Sequence, residues 1–253
     1  MLNYMKSEWF RTFHRKYLYI TTGCLCALVI LASVFLKVNE DVMYDMTDYM
    51  GTFLLSIVTT GLSMGYYLTM IVADMIFSDE YKHQTLKNTV SYGISRVKIY
   101  LGKLISGLMA GVLVMTVTVA VTVVTALLVF GSDAEFSGHL LNTMLPKLLA
   151  FIPLWMGGVA MGTMMLFLLK NTAAAFAFLG VAMVLPMIFG YISPLYPIFG
   201  EIKNLMVVTK INLVSNASLV SGSLMADCWI TGLAAVVMYT VIGALVFSRK
   251  EIK

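Results

Sequence analysis

Residues 104–130 read LISGLMAGVLVMTVTVAVTVVTALLVF, 27 residues in a row without a charged side chain. A hydrocarbon core of roughly 30 Å takes roughly 20 apolar residues in helical form. The run is therefore long enough to span a bilayer. It also lacks the polar–apolar alternation that a barrel strand needs. Working outward, five more runs have the same character: Tyr17–Leu36, Gly51–Ala73 (to Phe77 if Asp74 is tolerated), Leu148–Leu169, Thr172–Ile192 and Trp229–Phe247. The expected fold class is all-α, a polytopic membrane protein with six transmembrane helices. The spans fall at about 17–36, 51–77, 104–130, 148–169, 172–192 and 229–247, within a single domain covering residues 1–253.

Composition points the same way. The chain is 60% hydrophobic and 12% charged, with a mean hydropathy of +0.89. A soluble domain is nearer half apolar and a quarter charged, so there are too few charges here to coat a water-facing surface. The net charge of +4 and pI of 8.9 invite a nucleic-acid reading, but the placement of the charges argues for topology instead. Thirteen Lys and Arg fall on one side of the spans (Lys6, Arg11, Arg15 and Lys16; Lys82, Lys87, Arg96, Lys98 and Lys103; Lys170; Arg249, Lys250 and Lys253). Four fall on the other (Lys37, Lys147, Lys203 and Lys210), together with the acidic cluster Glu40, Asp41, Asp45 and Asp48. By the excess of basic residues in cytoplasmic loops, both termini are cytoplasmic. The basic stretches suit anionic lipid headgroups better than nucleic acid. The first apolar run is too long for a signal-peptide core, and no small-x-small site follows Leu36, so it is expected to be a retained span.

Three segments outside the spans carry information. In the N-terminal stretch, Leu2, Met5, Trp9 and Phe13 recur at helical spacing, with Lys6, Arg11 and Arg15 on other faces. This predicts an amphipathic helix lying in the membrane interface. The loop Ser78–Lys103 is the longest polar stretch. Ser78-Asp79-Glu80 suits a helix start, Gly93 is a break, and Ser95-Arg96 suits a second start. The segment Ser193–Asp227 is too long for a turn and too apolar for a solvated loop. Pro194 and Pro197 end the fifth helix, and a pair of short helices re-entering the outer leaflet fits.

Motifs that carry chemistry are missing. There is no phosphate loop, no H-E-x-x-H and no G-x-S-x-G. His14, His83 and His139 all lie outside the spans, which argues against a histidine-built metal site there. Cys24, Cys26 and Cys228 show no zinc or redox spacing and read as small apolar side chains. Asp74 reads as an interfacial residue rather than a coupling acid. Glycines four apart (Gly61/Gly65, Gly107/Gly111, Gly158/Gly162) allow close helix packing, either inside the bundle or at a dimer seam. Thr59, Thr60, Ser63 and Thr69 either line a pathway or bond their own backbone.

At the longest loop the sequence becomes specific. Glu80, Gln84-Thr85-Leu86-Lys87-Asn88, Gly93-Ile94-Ser95-Arg96 and Tyr100-Leu101-Gly102-Lys103 resemble the E…GTLK…G(I/V)SR…YLGK segment of ABC transporter permeases of the type-2 exporter class. Drug, polysaccharide and lantibiotic-immunity exporters belong to that class. Gln84 stands where the pattern has glycine. The resemblance implies a permease subunit without a cofactor or enzymatic activity of its own, in a bacterial plasma membrane. Its loop would form a coupling helix that docks on a separate ABC ATP-binding subunit, and it would pair with a second permease, identical or not. Glu80, Gln84, Thr85, Lys87, Asn88, Arg96 and Lys103 match the motif and are implied for that docking. The implied substrate is hydrophobic or amphipathic, a peptide antibiotic being one example. A stand-alone channel or secondary carrier is the alternative, and it would need a polar or charged site mid-membrane.

Overall fold

A computed structural model describes residues 2–39, 50–82, 90–91, 93–131, 134–169 and 172–249, and the secondary structure among these described residues is all helical. The helices are α1 (Leu2–Phe13), α2 (Lys16–Val38), α3 (Met50–Lys82), α4 (Arg96–Phe130), α5 (Ala134–His139), α6 (Leu145–Leu168), α7 (Thr172–Leu179), α8 (Leu185–Ile192), α9 (Pro197–Asn204), α10 (Val207–Asn216) and α11 (Gly222–Arg249). Among the described residues, five stretches are long and apolar enough to cross a membrane: Lys16–Val38, Arg96–Phe130, Ser137–Leu168, Thr172–Ile192 and Gly222–Arg249. The expected second span lies in α3, a helix of 33 residues of which Gly61–Phe77 is an apolar stretch among the described residues. The acidic cluster 40–48, Gln84, Thr85, Lys87, Asn88 and Lys170 fall outside the described residues.

Two of the long helices run through π-helical turns, and each such turn leads into a proline. Leu140–Met144 joins α5 to α6 just before Pro146, and Gly180–Val184 joins α7 to α8 just before Pro186. Proline has no N–H and its ring crowds the carbonyl four residues back. A wider turn relieves that crowding without ending the helix.

The core is built around α6. In its apolar window 72% of residues are buried, against 11–22% in the other four candidate spans. Small residues let the neighbouring helices come close. Gly158 faces Tyr66 and Thr69, Gly162 faces Met70 and Ala73, and Gly107 and Gly111 face Val159. These glycines, with Gly65 against Trp155, pack within the bundle. A methyl group at Gly232 on α11 would land on the Pro153 backbone of α6. Gly61 has open space beside it.

The helices alternate in direction. At one end, Phe77 (α3), Tyr100 (α4) and Phe247 (α11) gather around Phe167 (α6), with ring centroids 4.2, 4.8 and 4.4 Å away. At the opposite end, Lys37 of α2 lies 6.0 Å from the Phe130 ring of α4, and Ser56 of α3 bonds His139 of α5 at 3.2 Å. Thus α3 crosses the bundle from end to end, antiparallel to α2.

Candidate functional site

The end where Phe167 collects its aromatic neighbours is also the basic end, and it carries the connection between α3 and α4. Helix α3 continues to Lys82, and α4 opens at Arg96. The polar loop is therefore shorter than the expected Ser78–Lys103. Arg96 and Lys103 belong to the first turns of a long helix, because nothing after Ser95 interrupts helical propensity. Gly93 turns the chain into it with φ +80, and its N–H donates to the Val90 carbonyl at 3.0 Å.

The motif residues are distributed as follows. Arg96 points along the bundle, not away from it. Its Nη1 donates to the carbonyls of Ser248 at 3.1 Å and Phe247 at 3.4 Å. A cation there meets the partial negative charge of the α11 C-terminus. Lys103 is 1% exposed. Its Nζ donates to Glu8 Oε2 of α1 at 3.3 Å and sits 5.4 Å from the Phe77 ring centroid. The structure thus places Lys103 inside, where the sequence reading put it on a docking loop. Glu80 lies on the last turns of α3, and its side chain is outside the description, as is that of Thr60.

Glu8 is the residue that sequence reasoning missed. It is 3% exposed and is also bonded by Arg11 Nη2 at 2.5 Å. Burial pushes its carboxyl pKa up, but Lys103 and Arg11 together outweigh that and hold it below the ordinary carboxylate value. The fully buried positions of α1 are Glu8 and Thr12, in one row with Tyr4, while Met5, Trp9 and Phe13 beside them are half-buried and Phe13 packs against the cluster of Leu18, Val72 and Ile76. Tyr4 lies over Gly102, where a methyl group would sit 2.6 Å from its ring. The available signal was the spacing of Tyr4, Glu8 and Thr12 at successive i, i+4 positions. A glutamate in the middle of that row hid it. Just past α1, Arg15 donates to the Met75 carbonyl of α3.

A half-open cavity of about 480 Å³ lies between α2, α3, α4 and α6, with Leu28, Ile57 and Val112 on its exposed side. Leu25, Leu28, Gly61, Gly65, Met115 and Trp155 are among its lining residues, and no charged side chain is among the described residues that line it. Thr21, Thr69 and Thr118 also border it, and their hydroxyls donate to their own helix backbones at 2.5–2.8 Å. Of the expected pathway hydroxyls, Thr69 lines the cavity. Thr59 is buried on the Leu55 carbonyl at 2.6 Å, and Ser63 is half-buried and borders no part of it.

The family model for ABC-2 family transporter proteins matches residues 4–192. The chain belongs to the ABC-2 transporter family. The match runs from the buried row of α1 to the end of α8, so it takes in Glu8, the α3–α4 connection, Lys103 and the whole cavity wall. No curated protein matches the chain. An ABC-2 membrane protein with several membrane-crossing helices fits an ABC transporter permease.

Proposed function

We propose that this ABC-2 protein is the membrane-spanning permease subunit of an ATP-driven exporter in a bacterial plasma membrane. It forms the substrate pathway and takes its driving force from a separate ATP-binding subunit at the α3–α4 connection. ATP hydrolysis belongs to that partner, and a second permease subunit, identical or not, completes the assembly. Helix α3 is the sixth span, both termini are cytoplasmic, and α9 and α10 re-enter the outer leaflet.

The observation that carries the reading is the convergence at the basic end. The ends of α3, α4, α6 and α11 meet around Phe167, directly beside the connection that holds the family-like motif. A push on that connection is delivered to four helices at once, as a switch between two packed arrangements requires. The uncharged cavity supports a substrate with a hydrophobic part, of which an amphipathic peptide antibiotic is one example. It does not favour an ion-coupled carrier, whose mid-membrane site would hold a charge.

Purification with the candidate ATPase, followed by reconstitution, tests the reading. The complex is expected to assemble and hydrolyse ATP in proteoliposomes, and Glu80→Ala with Arg96→Ala is expected to lower hydrolysis stimulated by the permease. A permease that never binds an ATP-binding subunit, or a double variant with unchanged stimulation, overturns it.

A further inference from the structure

A fully buried ion pair at the edge of a bundle is expensive unless geometry and further hydrogen bonds compensate it. The pair Glu8–Lys103 is such a case, with both side chains at most 4% exposed and Arg11 on the second carboxylate oxygen. It joins two elements with different attachments. Lys103 stands in the second turn of α4, just after the α3–α4 connection. Glu8 stands on α1, which continues into α2 after a break at His14–Arg15. That break is itself tied down: Tyr19 Oη donates to the Phe13 carbonyl at 2.6 Å, and Arg15 holds the Met75 carbonyl of α3. Beyond it, α2 supplies Thr21, Leu25 and Leu28 to the cavity wall.

These links form one mechanical chain from the α3–α4 connection to the cavity. We propose that Glu8 and Lys103 are positioning residues for transport, strapping α1 to α4 so that displacement of the α3–α4 connection moves the α1–α2 elbow and with it the α2 wall of the cavity. The inference rests on the permease reading above. Lys103 is one of the motif residues, and its part is to transmit through Glu8. Tyr4 on Gly102 supplies the close contact that keeps the strap in register.

The test uses the intact permease–ATPase complex in nanodiscs, with Cys24, Cys26 and Cys228 replaced by alanine. Bimane is placed at the exposed position Ser7→Cys on α1 or at Ser95→Cys beside the connection, and ATP with vanadate is the probe. The wild-type strap is expected to give a nucleotide-dependent emission change at both positions. Glu8→Gln and, separately, Lys103→Met are expected to lose the change at Ser7→Cys while keeping that at Ser95→Cys and the rate of ATP hydrolysis. Arg11→Gln alone is expected to keep both, and adding Glu8→Lys with Lys103→Glu to it is expected to retain the response at Ser7→Cys. A response at Ser7→Cys that survives either single neutralisation overturns the inference. So does its absence in the charge-reversed protein, or loss of hydrolysis together with the signal, which would make the pair a purely structural contact. If the unaltered pair shows no response at Ser95→Cys, the failure lies with the permease reading.

Discussion

Glu8 shows how much one buried carboxylate can do at a membrane surface. Removing one partner of a buried ion pair typically costs about 3–5 kcal/mol. Glu8 keeps half its partners near solvent, since the Arg11 side chain is 40% exposed, so the lower end applies. Glu8→Gln is expected to lower thermal stability in detergent by about 3 kcal/mol. The sign of the pH dependence follows from its depressed pKa. The stabilisation is complete above the ordinary carboxylate pKa and is lost as pH falls through the lower, folded value. Melting temperature measured from pH 7 downward should therefore drop in the wild type at acid pH, with a shallower drop in Glu8→Gln. Equal slopes would show that Glu8 is not held ionised by its partners. A second residue-scale contrast concerns glycine. Gly232→Ala puts a methyl group against the Pro153 backbone, which cannot swing aside as a flexible side chain can. It should cost about 1–3 kcal/mol, whereas Gly61→Ala, facing open space, should leave the melting temperature where it was.

Among the elements, α4 and α11 are joined at their ends by Arg96. The last carbonyls of a helix have no intrahelical donor, and the Arg96 guanidinium supplies one to Phe247 and Ser248. Arg96→Ala is expected to destabilise the protein by about 1 kcal/mol, with α11 fraying from its C-terminus. Amide hydrogen exchange localised to residues 243–249 measures this. Unchanged exchange there would make the contact incidental. Arg96 therefore ties the end of α11 to the start of α4. The central helix α6 behaves differently. With neighbours on most sides and small residues facing α3 and α11, it has little freedom to shift. The more exposed α2 is the wall of the cavity best able to move.

At the scale of the whole molecule, the alternating helix directions make a claim about sidedness. If α3 crosses the membrane, α1, the α3–α4 connection and the end of α11 share one side, and the segment around Ser218 lies on the other. In a background without the native cysteines, a membrane-impermeant maleimide on intact cells should label Ser218→Cys. It should leave Ser7→Cys, Ser95→Cys and Ser248→Cys unlabelled until the membrane is opened. Labelling of one terminus and not the other would mean an odd number of spans and would remove α3 from the count. The cavity belongs to this scale too, since four helices each contribute a wall and none contributes a charge. Its lack of charge follows from composition, because the runs that supply its walls carry no charged residue.

The sequence was enough to determine a helical membrane protein, the places of five spans, and the family-like motif at the α3–α4 connection. The C-terminal ends of the spans fall within two residues of those expected, while three of them begin about 7 to 11 residues earlier. These are local or compositional properties. Solvation in lipid forces backbone groups to pair within a helix, so a long uncharged run has few other options. The end of the fifth span at Ile192 was legible as well, because Pro194 and Pro197 follow it and proline does not continue a helix. What only the tertiary structure decided was which faces meet. Glu8 and Lys103 are 95 positions apart, and each reads as a solvated charge on its own helix. They pair because α1 folds back over the first turns of α4, where Gly102 lets Tyr4 approach. Arg96 likewise finds its carbonyls 151 and 152 positions away. The threonines of α3 were ambiguous in one dimension, and helix rotation put Thr69 at the cavity and Thr59 away from it. Burial of charge next to lipid is costly, so a chain tolerates it only where distant partners arrive together, and their arrival is a property of the packed bundle.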